Sequence, residues 1–168
     1  AKAFEAIELS QIILFVVDKK FGISPYDKEI ASIIRKSNKK VILVINKIDV
    51  KTIEGTSIFD EFGFNEKIEV SSEHNLNITD LKNLIFSKID QDEESLEQEL
   101  PKICVMGKPN VGKSSTINSI INQEKMIVSD VPGTTIDSVD TKISYKGKNY
   151  LFIDTAGIRR KNKTVSKE

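Results

Sequence analysis

Hydrophobic positions along this chain fall into short dense runs separated by stretches of helical spacing. Residues 12–18, Ile-Ile-Leu-Phe-Val-Val-Asp, form a continuous apolar run, which predicts a strand buried on both faces. Residues 41–45, Val-Ile-Leu-Val-Ile, form a second such strand, and residues 67–71, Lys-Ile-Glu-Val-Ser, a third. Between the first two, Ser24 and Pro25 open a helix as cap and first-turn residue. Ile30, Ile33 and Ile34 give that helix one apolar face. Residues 1–9 read as the tail of an earlier helix, and Ile78, Leu81, Leu84 and Ile85 mark an amphipathic one. The pattern restarts with a strand over 103–106 and a helix carrying Ile117, Ile120 and Ile121. Residues 142–154 then read as a hairpin turning at Gly147. Residues 123–141 are polar and without a period, which predicts a switch loop. Strands alternating with helices predict an α/β fold, a mostly parallel sheet with flanking helices.

Charge and composition exclude more than they suggest. Among 168 residues, Lys+Arg and Asp+Glu stand at 25 each, so net charge argues for neither a nucleic acid nor a membrane. The charge is local instead. Residues 91–100 are acidic without a base and read as a solvated linker. Residues 159–167 are basic without an acid, offering contacts to RNA or forming a solvated loop. Cys104 is the single cysteine and lies in an apolar strand, which predicts buried packing and fits a reducing cytoplasm. His74, the single histidine, has no neighbours at metal-ligand spacing and reads as a loop residue. No apolar stretch is long enough to cross a bilayer, so a cytoplasmic protein is expected. A start at Ala1 and an open basic end read as cut termini.

The chemistry concentrates in two motifs whose order is reversed. Gly107, Lys108, Pro109, Asn110, Val111, Gly112, Lys113 and Ser114 spell a phosphate-binding loop between a strand and a helix, with Ser115 next. Its glycines admit backbone N–H groups to the phosphates, and the helix that follows points its positive end at the anion. Lys113 would neutralise the β and γ phosphates and the Ser114 hydroxyl would ligate Mg²⁺. Asp154, Thr155, Ala156 and Gly157 follow a strand, where the carboxylate can hold Mg²⁺ through water and the Gly157 N–H can bond the γ-phosphate. Ile158 comes next, where Ras-like proteins place a water-orienting Gln. Between the two, a hydroxyl of the 132–137 segment can close over γ-phosphate and Mg²⁺, Thr135 being chosen over Thr134.

Asn46, Lys47, Ile48 and Asp49 precede all of this, at the carboxyl end of a buried strand, where open α/β sheets bind ligands. The Asp49 carboxylate can accept hydrogen bonds from the N1–H and amino group of guanine, each contributing roughly 1.5–3 kcal/mol. The Lys47 stem would lie along the base, Asn46 would brace the loop, and the Ser71 and Ser72 backbone N–H groups could reach the guanine oxygen. A P-loop NTPase with its motifs in circularly permuted order is therefore expected, with GTP and GDP as ligands. If one sheet forms, the strand at 103–106 must join the strand at 12–17. A linker of about ten residues extends roughly 33 Å, which allows it.

Together these residues resemble the Der/EngA family of bacterial tandem GTPases. On that resemblance residues 1–90 are the second half of a first G domain, 91–101 an acidic linker, and 102–168 the first half of a second. The run Ile158-Arg-Arg-Lys161 is the most family-specific piece. The resemblance implies GTP hydrolysis, action in large ribosomal subunit assembly with ribosomal RNA as partner, and K⁺ placed by Asn110 in place of an arginine finger. The catalytic set is then Lys113, Thr135 and Asn110. The chain departs from the family at Ile136, where Arg is usual, at Ser72, where Ala is usual, and at Asn77, where Gly is usual. Two other readings compete: a natural circularly permuted ribosome-assembly GTPase, and a nucleotide-gated interaction module without catalysis.

Overall fold

The computed structural model describes residues 2–90, 99–123, 126–135, 137–153 and 155. Its first half runs α1 (Lys2–Leu9), β1 (Ile12–Asp18), α2 (Pro25–Lys36), β2 (Lys40–Asn46), a 3-10 segment (Thr56–Phe62), β3 (Glu66–Glu69) and α3 (Ile78–Asp90). The second half runs β4 (Lys102–Met106), α4 (Lys113–Ile121), β5 (Ile127–Pro132), β6 (Val139–Tyr145) and β7 (Lys148–Phe152). All seven strands form one sheet, in the order β3-β2-β1-β4-β7-β6-β5. The two halves of the chain meet at its centre, where β1 and β4 pair in parallel with Ile12 opposite Ile103 and Phe15 opposite Met106. Gln11 tightens that seam by donating its amide to the Lys102 carbonyl over 2.9 Å.

Every residue of β1 is buried, as its unbroken apolar run requires. Side-chain alternation divides the strand between two cores. Ile12, Leu14 and Val16 pack with Leu81, Ile85, Ile117 and Ile120 beneath α3 and α4. Ile13, Phe15 and Val17 pack with Ile30, Ile34, Phe59 and Phe62 beneath α2 and the 3-10 segment. The start of α2 is a complete capping box: Asp27 N–H donates to Ser24 Oγ, and Ser24 N–H to Asp27 Oδ2. The β6–β7 hairpin turns at Lys146 and Gly147, both at positive φ.

Residues 126–132 differ from the expected switch loop. β5 pairs antiparallel with β6 from Ile127 opposite Ser144 to Pro132 opposite Val139. It is an edge strand exposed along most of its length, so no core-facing run marks it in the sequence. The 3-10 segment was also illegible: its buried rings Phe59 and Phe62 stand a single turn apart, and one such pair is too short a pattern to mark a helix. Most of the acidic linker, residues 91–98, lies outside the described residues, as do Asp154, Ala156, Gly157, Ile158, Ile136 and the basic run 159–167.

Candidate functional site

The parallel strands β1, β2 and β4 end on the same edge of the sheet, and their following loops converge there. The loop after β4 is the phosphate loop. Gly107 runs so close to β1 that an added Cβ would lie 2.6 Å from the Val16 carbonyl oxygen. Gly112 adopts φ +98°, a left-handed conformation, and an added Cβ there would lie 2.2 Å from Asn46 Nδ2. Asn110 also takes positive φ, which Asn tolerates. The loop feeds α4, whose first turn presents Lys113, Ser114 and Ser115. The Lys113 ammonium folds back to donate to the Gly107 carbonyl over 2.5 Å. Burial pushes its pKa down, because losing water disfavours the charged form.

The guanine motif after β2 closes on this loop directly. Asn46, 2% exposed, donates from Nδ2 to the Val111 carbonyl over 2.9 Å, bridging 65 positions of sequence. Its Oδ1 accepts from both the amide and the hydroxyl of Ser72, each at 3.0 Å. Lys47 Nζ donates to the Asn110 carbonyl over 3.1 Å and lies 2.7 Å from Asp18 Oδ2. Lys47 holds φ +65°, a conformation unusual for a long side chain and fixed here by those two contacts. Ser119 on α4 donates to the Ser72 carbonyl over 2.9 Å, tying the third loop to the second half. Asn46, Lys47, Ser71, Ser72, Gly112, Ser114 and Ser115 line one cleft of about 410 Å³, with Glu73 and Asn118. A hollow of about 430 Å³ near Arg35 and Lys88 contains none of the motif residues, so volume alone does not select the site.

Asp49 is exposed and does not itself line this cleft. A hydrogen bond from the Ser71 side chain holds its carboxyl below the usual carboxylate range, and His74 and Lys19 pull the same way. His74, expected to be a plain loop residue, brings Nε2 within 3.4 Å of Asp49 Oδ2. The amides of Ser71 and Ser72 differ from expectation. The first donates to Leu76 and the second to Asn46, so both are engaged within the protein and the two serines brace the motif. Lys108 is likewise engaged within the protein, its Nζ 3.5 Å from the buried Asp27 Oδ2, and serves as an anchor to α2. Val111 is buried, while Pro109 and Asn110 are exposed.

Thr135 sits in a tight turn over 133–138. Its amide donates to Ser138 Oγ, and Gly133 N–H donates to the Ser138 carbonyl. The neighbouring Thr134 amide is held by Asp140 Oδ2 over 2.9 Å. The hydroxyls of Thr134 and Thr135 are buried with no hydrogen-bond partner among the described residues. Thr155 turns into the sheet, its hydroxyl 2.5 Å from that of Thr141 and its amide donating to Val139. Among the described residues no cluster of three or more His, Cys, Asp or Glu could hold a metal. The Ser114 hydroxyl in the cleft is an oxygen of the hard kind that Mg²⁺ takes, as are the orphaned hydroxyls of Thr134 and Thr135, which do not line that cleft. Sequence reasoning did not find Asp18 and Asp27, the two buried carboxylates that hold Lys47 and Lys108. The only signal was an acid closing an apolar strand and an acid three residues after a cap.

Comparison with known proteins adds the following. A profile described as 50S ribosome-binding GTPase matches residues 1–47 and 102–168, which hold the phosphate loop and the first two residues of the Asn46–Asp49 motif but not Asp49, Ser71 or Ser72. The chain is 46% identical over 160 residues to GTPase Der of Finegoldia magna, covering 94% of this chain and 36% of that protein. It is 48% identical over 160 residues to GTPase Der of Thermoanaerobacter pseudethanolicus, with 94% and 36% covered. It is 47% identical over 159 residues to GTPase Der of Mycoplasma capricolum, with 94% and 37% covered. The chain thus spans about a third of the length of the curated relatives it matches. In fold it is similar to the crystal structure of YjeQ from Thermotoga maritima, with TM-score 0.54 at 20% identity, covering 89% of this chain and 49% of that one.

Proposed function

The chain belongs to the family of 50S ribosome-binding GTPases, and from that membership we propose that its cleft binds guanine nucleotides with Mg²⁺ and hydrolyses GTP. The observation that carries the proposal is the Asn46 to Val111 bond, which makes a base-reading motif and a phosphate loop two walls of one cleft. Asp49, a carboxylate at neutral pH, reads the guanine edge. Lys47 lies along the base. The amides of the Gly107–Ser115 loop and the start of α4 hold the phosphates. Lys113 releases Gly107 and turns to the β and γ phosphates, so its buried charge acquires a partner. Mg²⁺, when bound, would spread the charge of the transferring phosphoryl group. Ser114 would hold it, with Thr135 supplying the switch hydroxyl and Asp154 the outer carboxylate. The orphaned Thr135 oxygen supports that role.

Asn110 would place K⁺ beside the phosphates, giving K⁺-stimulated and intrinsically slow turnover. The whole protein would act in large ribosomal subunit assembly as a cytoplasmic GTPase; the family's description, 50S ribosome-binding GTPase, supports a ribosomal partner. Single-turnover GTP hydrolysis with Mg²⁺, in K⁺ and in Na⁺ buffers, beside fluorescent-GDP affinity, tests the proposal. Faster hydrolysis in K⁺ supports it; equal rates remove Asn110 from the cation role. Tight binding without hydrolysis in either buffer would leave a nucleotide-gated module.

A further inference from the structure

Phe21 is an unusual residue to find in solvent. It is 66% exposed, in the loop between β1 and α2, and three lysine ammonium groups surround its ring. Lys20 lies 5.5 Å from the ring centroid, Lys47 5.8 Å and Lys108 6.0 Å. Two of those charges are already matched, Lys47 by Asp18 and Lys108 by Asp27. Among the described residues Lys20 and Lys51 form no ion pair. Beside the ring a hollow of about 500 Å³ is walled by Lys19, Lys20, Phe21, Lys51, Ile53 and Ile58 among others. Ile53 is fully exposed at its edge, and Glu54 is the one acid in the lining.

Three kinds of surface therefore meet in one place: a largely exposed aromatic ring edged by lysines, short apolar walls, and the Lys20 and Lys51 ammonium groups, which form no ion pair among the described residues. An acidic peptide would use the charges and leave the ring bare. A bilayer would need a wider apolar face than Phe21 and Ile53 supply. Single-stranded nucleic acid uses all three, because a base has a π-face to stack and its flanking phosphates meet lysines. We infer that this hollow binds one base of single-stranded RNA, stacked on Phe21, with Lys19, Lys20 and Lys51 contacting the adjoining phosphates. The choice of RNA rests on the ribosome-binding reading above; the stacking geometry does not.

The test is fluorescence anisotropy of a labelled single-stranded oligouridylate of about ten nucleotides with the full chain, without nucleotide and with GDP and Mg²⁺. Phe21→Leu should weaken RNA binding about 5- to 150-fold, the range that stacking of one base contributes, without changing the salt dependence. Lys51→Gln should instead flatten the slope of log affinity against log salt by about 0.7, the value for one single-strand phosphate. Both variants should keep wild-type GDP affinity and wild-type circular dichroism. Phe21→Leu binding RNA as tightly as wild type would overturn the inference, since affinity would then lie elsewhere, for example in residues 159–167. Polyglutamate displacing the RNA as well as unlabelled RNA does would also overturn it, because the site would read charge alone. Loss of GDP binding by the wild type would sink the GTPase reading and leave the RNA comparison legible.

Discussion

Replacing Asn46 with Ala asks whether the two motifs form one site through this side chain. The substitution removes the donor to the Val111 carbonyl at 2.9 Å and the acceptor for the Ser72 amide and hydroxyl at 3.0 Å. A typical internal hydrogen bond contributes about 1 kcal/mol net. Leaving the Ser72 amide and the Val111 carbonyl unpaired adds to that cost, so a loss of about 2–4 kcal/mol is expected. Domains of this kind have about 5–15 kcal/mol in total, so the variant still folds. With no tryptophan in the chain, urea unfolding is best followed by circular dichroism. The midpoint should fall at unchanged slope, because the surface exposed on unfolding is the same. GDP at 100 times its dissociation constant stabilises by about 2.7 kcal/mol. At the same GDP concentration the variant should gain much less, since its base and phosphate walls are no longer held together. A shift under about 0.5 kcal/mol with the GDP effect intact would refute the reasoning. The motifs would then be held by the β1–β4 seam with the Lys47–Asn110 and Ser119–Ser72 bonds.

Other outcomes follow from the same geometry. Asp49→Asn should weaken GDP binding by at least about 10-fold, the loss of one charge-assisted bond, and shift preference toward xanthine nucleotides; competition binding measures both. Gly112→Ala forces a Cβ to 2.2 Å from Asn46 Nδ2 in a left-handed conformation. It should cost about 1–2 kcal/mol from conformation alone, and calorimetric GDP titration should show weakened affinity as Asn46 is displaced. Lys113 has its folded pKa lowered by burial, so between that value and the ordinary 10.5 the unfolded chain binds more protons. Nucleotide-free stability should therefore rise with pH through that window, relative to Lys113→Met, in paired urea titrations. The part of GDP affinity that depends on Asp49, read as the difference from Asp49→Asn, should be lost with a midpoint below the ordinary Asp value of 3.8, because the Ser71 hydrogen bond lowers its pKa. A loss of affinity centred above that value and absent in Asp49→Asn would contradict the assignment.

Most elements were legible because their signals are local. The run at 12–18 is apolar throughout, and only a doubly covered strand buries every residue of such a segment. Ser24 and Pro25 announce a helix start, and the structure closes a capping box there with Asp27. The phosphate loop was legible for a similar reason, since glycines at 107 and 112 answer steric demands within one turn of chain. β5 and the 3-10 segment were not legible. One is an exposed edge without a core face, and the other buries two rings one turn apart, a pattern too short to declare a helix.

The sequence alone determined which chemistries are present: a phosphate loop ahead of a helix, a guanine motif at a strand end, and their reversed order along the chain. Only the tertiary structure decided that they share one cleft. That depends on β1 pairing with β4, on Asn46 reaching Val111 across 65 positions, and on Asp18 and Asp27 capturing Lys47 and Lys108. None of these pairings leaves a local period in the sequence, because hydrogen bonds and buried charges are satisfied by whatever partner the packed sheet brings within reach.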